Sequence, residues 1–268
     1  MKIYDLLNPE PKTPTEGVAA AAPKNIGILD MVIAFDTTGS MAQYIEDVRR
    51  QVTDLIPQLF DDNEDLRLGI VAFGDYCDMD NAQEFGKAYQ YIFPTNNRKA
   101  LVQFVKNSRN TSGGDGDEFY ELVIKKIVEE TPWREEASRT VLLIADANPH
   151  PLGYCYRDYV DNNKIDWREE ARKAAELGIK IDTVSIHGQP WYRELSEMTN
   201  GINVPFSSSN KTAQLVRASV WAEGSESSRS KFDNFCACIG DDDMEMRSVA
   251  SSFMERRKKS YKSPDFSK

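Results

Sequence analysis

Asp36-Thr37-Thr38-Gly39-Ser40-Met41 is the stretch of sequence on which the fold prediction depends. It follows an apolar run at residues 28–35, which is typical of a buried strand, and an amphipathic helix begins near its end. The turn therefore lies at the carboxyl end of a strand, where ligands bind in open α/β sheets. Its alternate residues, Asp36, Thr38 and Ser40, offer oxygen ligands, which suit a hard cation such as Mg²⁺. On this stretch alone, a simple helix cap at Ser40 explains the pattern equally well.

The composition excludes several classes of protein. The 268 residues include 33 basic and 43 acidic residues, a net charge of −10, which disfavours general affinity for nucleic acid or for an anionic membrane. No apolar run approaches the ~20 residues that span a bilayer, and the first residues lack the long apolar region of a signal peptide. The four cysteines show no disulfide framework. We therefore expect a soluble, cytoplasmic protein.

Strand and helix patterns alternate along most of the chain. The apolar run at residues 140–145 is continuous, which indicates a strand covered on both faces. The alternation predicts an α/β fold with a doubly wound, mostly parallel central sheet flanked by helices. The predicted strands are residues 28–35, 66–73, 89–93, 140–145, 179–186 and 202–206, and the predicted helices are 41–59, 98–108, 119–128, 167–177, 191–199 and 210–223.

Composition also divides the chain into three parts. Residues 1–25 are rich in proline and alanine and predict an arm or linker, and residues 26–223 form the predicted domain. Residues 224–268 predict a polar linker, flexible at 225–230, followed by a helix at 241–259. We expect the apolar stripe of this helix to pack on the chain's own domain; docking on a partner or self-association is the alternative.

Two further loops have compositions that are typical of binding sites, one rich in acidic residues and one rich in tyrosine. The acidic stretch at residues 74–81 lacks the glycine and the terminal glutamate of a calcium-binding EF-hand, so we expect a solvated turn, with a second ion as the alternative. The loop at residues 151–166 is predicted at the same sheet edge as Asp36. Because its tyrosines, at 154–159, can make rigid amphipathic contacts, we expect them to form the specificity surface.

The pattern Asp36-x-Thr38-x-Ser40 resembles the first motif of the metal-ion-dependent adhesion site in von Willebrand factor A domains, usually Asp-x-Ser-x-Ser. Thr38 replaces the middle serine but keeps the hydroxyl. Asp146 sits at the family's last aspartate. Asp115, after two glycines, falls where the family usually has a threonine. This Gly-Gly-Asp form resembles a branch that includes the A domain of atypical alpha-kinases and several bacterial relatives.

The resemblance implies a function. It implies one Mg²⁺ held by Asp36, Thr38, Ser40, Asp115 and Asp146, with Mn²⁺ or Ca²⁺ as alternatives. A partner protein's Asp or Glu carboxylate would then fill the open metal position, so the chain would be a non-enzymatic interaction module. The extra carboxylate of Asp115 would strengthen metal binding and weaken the attraction for an acidic partner. A purely structural metal site is therefore an alternative.

Catalytic motifs are few in this sequence. It contains no Gly-x-Ser-x-Gly, no phosphate-binding loop and no dinucleotide fingerprint. Both histidines, His150 and His187, follow predicted strands, and a pair of His150 with Asp146 keeps a metal-dependent hydrolase as the second hypothesis. A third hypothesis is a structural subunit of a bacterial or phage assembly, in which the metal serves stability alone.

Overall fold

The central element is a six-stranded sheet. A computed structural model describes residues 27–79, 85–156, 164–206, 211–223, 226–240 and 243–261. The strands of the main sheet are β1 (Ile28–Asp36), β2 (Asp65–Phe73), β3 (Tyr89–Thr95), β5 (Ser138–Ala145), β7 (Ile179–Ser185) and β8 (Asn203–Pro205). Two short strands, β4 (Asp117–Glu118) and β6 (Asn148–Pro149), form a separate parallel pair.

Helices alternate with these strands and cover the sheet. The α-helices are α1 (Ile45–Asp62), α2 (Phe85–Ala88), α3 (Arg98–Asn107), α4 (Tyr120–Glu130), α5 (Trp167–Glu176), α6 (Pro190–Met198), α7 (Lys211–Glu223), α8 (Glu226–Cys238) and α9 (Met244–Tyr261), and 3₁₀-helices span Gly39–Gln43 and Tyr76–Met79. The helix predicted from residue 41 therefore begins as a 3₁₀ turn, and its α-helical part begins at Ile45.

The sheet is mostly parallel, as predicted. Its strand order is β3-β2-β1-β5-β7-β8, and β3 alone runs antiparallel to its neighbour. Successive residues of β1 enter different cores, because side chains alternate across a strand. Ile33 packs in the core that includes α1, and Ala34 packs in the core that includes α4. The fold class is thus confirmed, and the continuous apolar runs are explained by helices on both faces.

The prediction of a flexible joint at residues 225–230 is wrong for residues 226–230, which the structure describes. Helix α8 begins at Glu226, Ser228 is buried and its hydroxyl donates to the Asp62 carbonyl at 2.7 Å, and Phe232 is fully buried. The polar composition gave no sign of this helix, which is held by contacts of a few side chains with the domain, among them an ion pair between Lys231 and Asp62 at 2.9 Å.

The C-terminal helix α9 packs on the chain's own domain, as expected. Its apolar stripe, Met246, Val249 and Phe253, belongs to the same core as β1 and α1. Arg256 adds a buried ion pair with Asp182 of β7 at 2.7 Å. Self-association through this helix would therefore need a face other than this stripe.

Several sequence predictions lie outside the described residues. They are the arm at residues 1–25, the start of the C-terminal linker at 224–225 and the second half of the tyrosine-rich stretch, since residues 157–163 are not described. The division into three parts stays a prediction. Among the residues that are described, no helix combines the length and the apolar character needed to cross a membrane.

Candidate metal centre

The turn after β1 is held rigidly by its neighbours. Asp36 is level with Phe73, the last residue of β2, and both the amide and the hydroxyl of Thr37 donate to the Phe73 carbonyl, at 2.8 and 2.7 Å. Opposite, the Gly39 amide donates to the Ser112 carbonyl at 3.1 Å. The turn is therefore clamped between the end of β2 and the Gly-Gly-Asp loop.

Four of the five predicted ligands form a continuous chain of oxygen contacts. The Thr38 hydroxyl donates to Asp36 Oδ1 at 2.7 Å, and the Ser40 hydroxyl donates to Asp146 Oδ1 at 3.1 Å. The two hydroxyl oxygens lie 3.1 Å apart. Either hydroxyl can be the donor in this last contact. The two hydroxyl oxygens and the two carboxylates therefore lie within reach of one shared cation.

Glu118 is the residue that the sequence prediction missed. It lies on β4, is 3% exposed, and its Oε2 has no hydrogen-bond partner among the described residues. An added Cβ on Gly113 would lie 2.9 Å from Glu118 Oε1 and 3.4 Å from Thr38 Cβ, so the glutamate is beside the motif. Its position in the sequence, just before an apolar helix, also suits an ordinary acidic residue of a helix start.

The pKa values of the three carboxyl groups at this edge are raised mainly by burial. Burial raises the pKa of Asp36 to about 7, although hydrogen bonds from Tyr120 and Thr38 oppose the shift. Burial, with Asp36 and Asp75 nearby, raises the pKa of Glu118 to about 10. Burial also raises the pKa of Asp146, against the effects of Ser40 and His187.

These residues fit a hard divalent cation. Asp146 Oδ2 is buried without a hydrogen-bond partner in the described chain, and His187 Nε2 is 3.9 Å from it, beyond hydrogen-bonding distance. Together with the Glu118 oxygen, this leaves two buried carboxylate atoms without a partner. The donors are all oxygen, the set that Mg²⁺ prefers, and a positive ion would offset the cost of ionising carboxyl groups that burial makes hard to charge.

Asp115, the fifth predicted ligand, is placed in a different cluster. Its Oδ2 accepts from the Tyr154 hydroxyl at 2.9 Å, and it supplies one of three ligand atoms, with Asp75 and His150, that lie within 4.8 Å of one another. The 74–79 part of the predicted solvated turn is also not solvated: Asp75 and Tyr76 are buried. His150 pairs with Asp75 at 2.7 Å, not with Asp146 as the hydrolase hypothesis supposed.

Comparison with known proteins identifies the family. Residues 30–218 match the model of the von Willebrand factor type A domain. The chain belongs to this family. Domains of this family are generally protein-interaction modules. The match begins inside β1 and ends inside α7, and it includes all the candidate ligands described in this subsection.

Two known proteins illustrate how far this likeness extends. Alpha-protein kinase vwkA of Dictyostelium discoideum is 29% identical over 128 residues, which are 47% of this chain and 19% of the kinase. The chain thus matches about a fifth of the kinase's length. The crystal structure of the conserved hypothetical protein BatB from Bacteroides thetaiotaomicron superposes with a TM-score of 0.51 at 16% identity, over 77% of this chain and 99% of that chain. This second likeness shows the fold alone.

Gly113 combines a left-handed backbone with close approach to a carboxylate at the candidate site of this von Willebrand factor type A domain. Its φ is +69°, and an added Cβ would lie 2.9 Å from Glu118 Oε1. Gly178 has a similar φ of +66° with open space around it. We expect Gly178→Ala to lower the free energy of unfolding by about 1 kcal/mol through backbone strain. Gly113→Ala should lower it by roughly 1 kcal/mol more and should reduce the stabilisation that Mg²⁺ provides.

Urea denaturation of both variants, with and without Mg²⁺, tests this expectation. Gly116→Ala serves as the neutral control in the same loop, because its added Cβ meets nothing within 4 Å and its φ lies outside the left-handed region. Equal losses in Gly113→Ala and Gly178→Ala would mean that Glu118 does not limit the space at Gly113.

Proposed function

We propose that this domain is a non-enzymatic protein-interaction module with a metal-ion-dependent adhesion site, which binds an Asp or Glu side chain of a partner protein in the presence of Mg²⁺. The observation that carries the proposal is the chain of contacts from Asp36 through Thr38 and Ser40 to Asp146, with a buried, unpartnered carboxylate oxygen at its end.

Each residue has a distinct role in this proposal. The hydroxyls of Thr38 and Ser40 would hold the ion directly, and Asp36 and Asp146 would hold it directly or through water. We assign the contribution of the Gly-Gly-Asp loop to Glu118 and no longer to Asp115, because Asp115 contacts Tyr154 instead. A bound Mg²⁺ keeps exchangeable positions, one of which a carboxylate can take. Ser40 is exposed, so a partner can reach this side of the site.

Two observations support a non-enzymatic role and a cytoplasmic location. His150 is 2% exposed, pairs with Asp75 and stacks on Tyr154 at 3.7 Å between ring centroids, so it is not presented to a substrate as the hydrolase hypothesis requires. All four cysteines are free thiols, which supports a reducing compartment such as the cytoplasm.

A displayed library of random peptides tests the proposal without knowledge of the partner. Selection on the immobilised domain in Mg²⁺, followed by elution with EDTA, should enrich peptides with Asp or Glu at one position. Ser40→Ala removes one exposed hydroxyl and should reduce the enrichment at least about tenfold, since even outer-shell changes at metal sites cost this much affinity. Ser112→Ala, an exposed serine on the facing loop, is the matched control.

Peptides that bind equally in EDTA, or equally to Ser40→Ala, would contradict the proposal. If Mg²⁺ stabilises the fold but no acidic peptide is enriched, a structural metal site, the third hypothesis, explains the domain better. Turnover of a hydrolysable ester or phosphoester that Ser40→Ala abolishes would favour the hydrolase.

A further inference from the structure

A second cluster of metal-ligating side chains lies beside the first. Asp75, Asp115 and His150 each offer one ligand atom, and these three atoms all lie within 4.8 Å of one another. Asp75 and His150 are buried, and Asp115 is exposed. They come from three separate loops: the one after β2, the Gly-Gly-Asp loop and the residue after β6. Because these loops meet at one sheet edge, the cluster is a product of the fold.

We propose that Asp75, Asp115 and His150 bind a divalent transition metal of the Zn²⁺ class. Tetrahedral ligand atoms at the usual 2.0–2.2 Å from Zn²⁺ lie roughly 3.3–3.6 Å apart. The longest separation in the cluster, up to 4.8 Å, would therefore shorten by about 1 Å on binding, and Asp115 has the exposed side chain that can make this movement. His150 Nε2 and Asp75 Oδ1 are 2.7 Å apart, a hydrogen bond that Zn²⁺ would replace as the nitrogen gives up its proton and the two atoms separate to roughly 3.3–3.6 Å.

An independent observation at Asp75 indicates a ligand. Its carboxylate is 0% exposed, yet its Oδ2 has no hydrogen-bond partner among the described residues. A buried carboxylate oxygen without a partner is costly, and the pair with His150 uses the other oxygen. A cation between the three groups would give this oxygen a partner.

The donor types separate this site from the Mg²⁺ site. Imidazole nitrogen suits Zn²⁺, Ni²⁺ and Cu²⁺, whereas oxygen-only sets suit Mg²⁺ and Ca²⁺. Tyr154 supports the ligands from outside, since its hydroxyl donates to Asp115 Oδ2 at 2.9 Å and its ring stacks on His150. Outer-shell contacts of this kind orient metal ligands. The site shares no ligand with Asp36, Thr38, Ser40 or Asp146, so it does not depend on the proposed function.

Calorimetric titration of the full chain with Zn²⁺, in excess Mg²⁺ to occupy the first site, tests the inference. The wild type should bind one equivalent. His150→Gln should weaken binding roughly 100-fold or more, since loss of an outer-shell partner already weakens it about 10- to 100-fold. Asp115→Asn changes an exposed side chain, so it should keep the fold and still weaken binding at least about tenfold. His187→Gln and Asp117→Asn are the matched controls and should bind as the wild type does.

Two results would overturn the inference. One is a wild type that binds no Zn²⁺ in excess Mg²⁺, which would confine metal binding to the first site. The other is Zn²⁺ affinity that Asp115→Asn leaves unchanged, which would place the ion on other residues, even if His150→Gln does not fold.

Discussion

In EDTA, the protein is expected to lose stability as the pH rises from about 5 to about 8. The cause is the set of buried carboxyls at the sheet edge. Their ordinary pKa values are 3.8 for Asp36 and 4.5 for Glu118, and the fold raises these to about 7 and about 10. Between the two values of each group, the folded protein holds a proton that the unfolded chain has released. Raising the pH therefore favours the unfolded chain.

The expected size of this effect is large for one edge of a domain. Each carboxyl of this kind lowers the free energy of unfolding by about 1.4 kcal/mol per pH unit between its unfolded and folded pKa values. Asp36 alone then contributes a loss of roughly 3 kcal/mol between about pH 5 and about pH 7, or about 6–12 °C in melting temperature. Saturating Mg²⁺ should remove most of the slope, because an ion that binds only the folded state stabilises it most where the carboxyls are ionised.

Thermal melts across this pH range, in EDTA and in Mg²⁺, measure both slopes. Asp36→Asn should flatten the EDTA slope, because it removes one of the titrating groups and keeps the side-chain shape. A melting temperature in EDTA that rises with pH in this range would show that the carboxyls are not held together as the structure places them.

The second large effect is that replacing either of two aspartates of the same strand should change stability in opposite directions. Asp36 and Asp30 are both fully buried on β1, at opposite ends. Asp30 accepts from Arg67 at 2.5 Å and from Arg134 at 2.8 Å. Burial alone would raise the pKa of Asp30, but these hydrogen bonds outweigh burial and hold it below the usual value.

We therefore expect the asparagine variants to move stability in opposite directions. At about pH 8 in EDTA, Asp30→Asn should lose roughly 2–4 kcal/mol, because it leaves two partly exposed arginines without their carboxylate. Asp36→Asn should gain about 1–3 kcal/mol, because it removes a buried charge that is not balanced by a cation. The gain in stability on adding Mg²⁺ should also differ: Asp30→Asn keeps the full gain, and Asp36→Asn loses it.

Chemical denaturation of the two variants, each with and without Mg²⁺, gives the four free energies of unfolding, which are compared with those of the wild type. The pair is a matched comparison, since residue type, strand and burial are the same and only the neighbours differ. A loss of stability in Asp36→Asn as large as that in Asp30→Asn would mean that Asp36 is a structural residue rather than a metal ligand.

Part of the metal centre could be predicted because its pattern is local. Asp36, Thr38 and Ser40 alternate on one turn directly after an apolar strand, and Asp146 ends another such strand. The carboxyl ends of parallel strands meet at one edge, so the strand pattern alone brings these four residues together. The same argument correctly predicted the mostly parallel sheet.

The remaining site residues depend on contacts that no local pattern encodes. Glu118 and Asp115 are three residues apart in the chain, but Glu118 lies beside Thr38 and Asp115 contacts Tyr154. What separates them is the pairing of β4, which carries Glu118, with β6; the two strands are only two residues long, and their paired residues, such as Glu118 and Pro149, are 31 positions apart in the sequence (149 − 118). Strands this short leave no periodicity that a sequence can display.

The sequence by itself therefore determined the fold class and the meeting of Asp36, Thr38, Ser40 and Asp146 at one sheet edge, because hydrophobic period and strand ends are local properties of the chain. Only the tertiary structure decided that Glu118 lies beside this motif while Asp115 contacts Tyr154, that Asp75 is buried against His150, and that the polar segment after residue 225 is an anchored helix. In each of these cases the outcome depends on a few long-range contacts, whose energies outweigh the local preference of the segment.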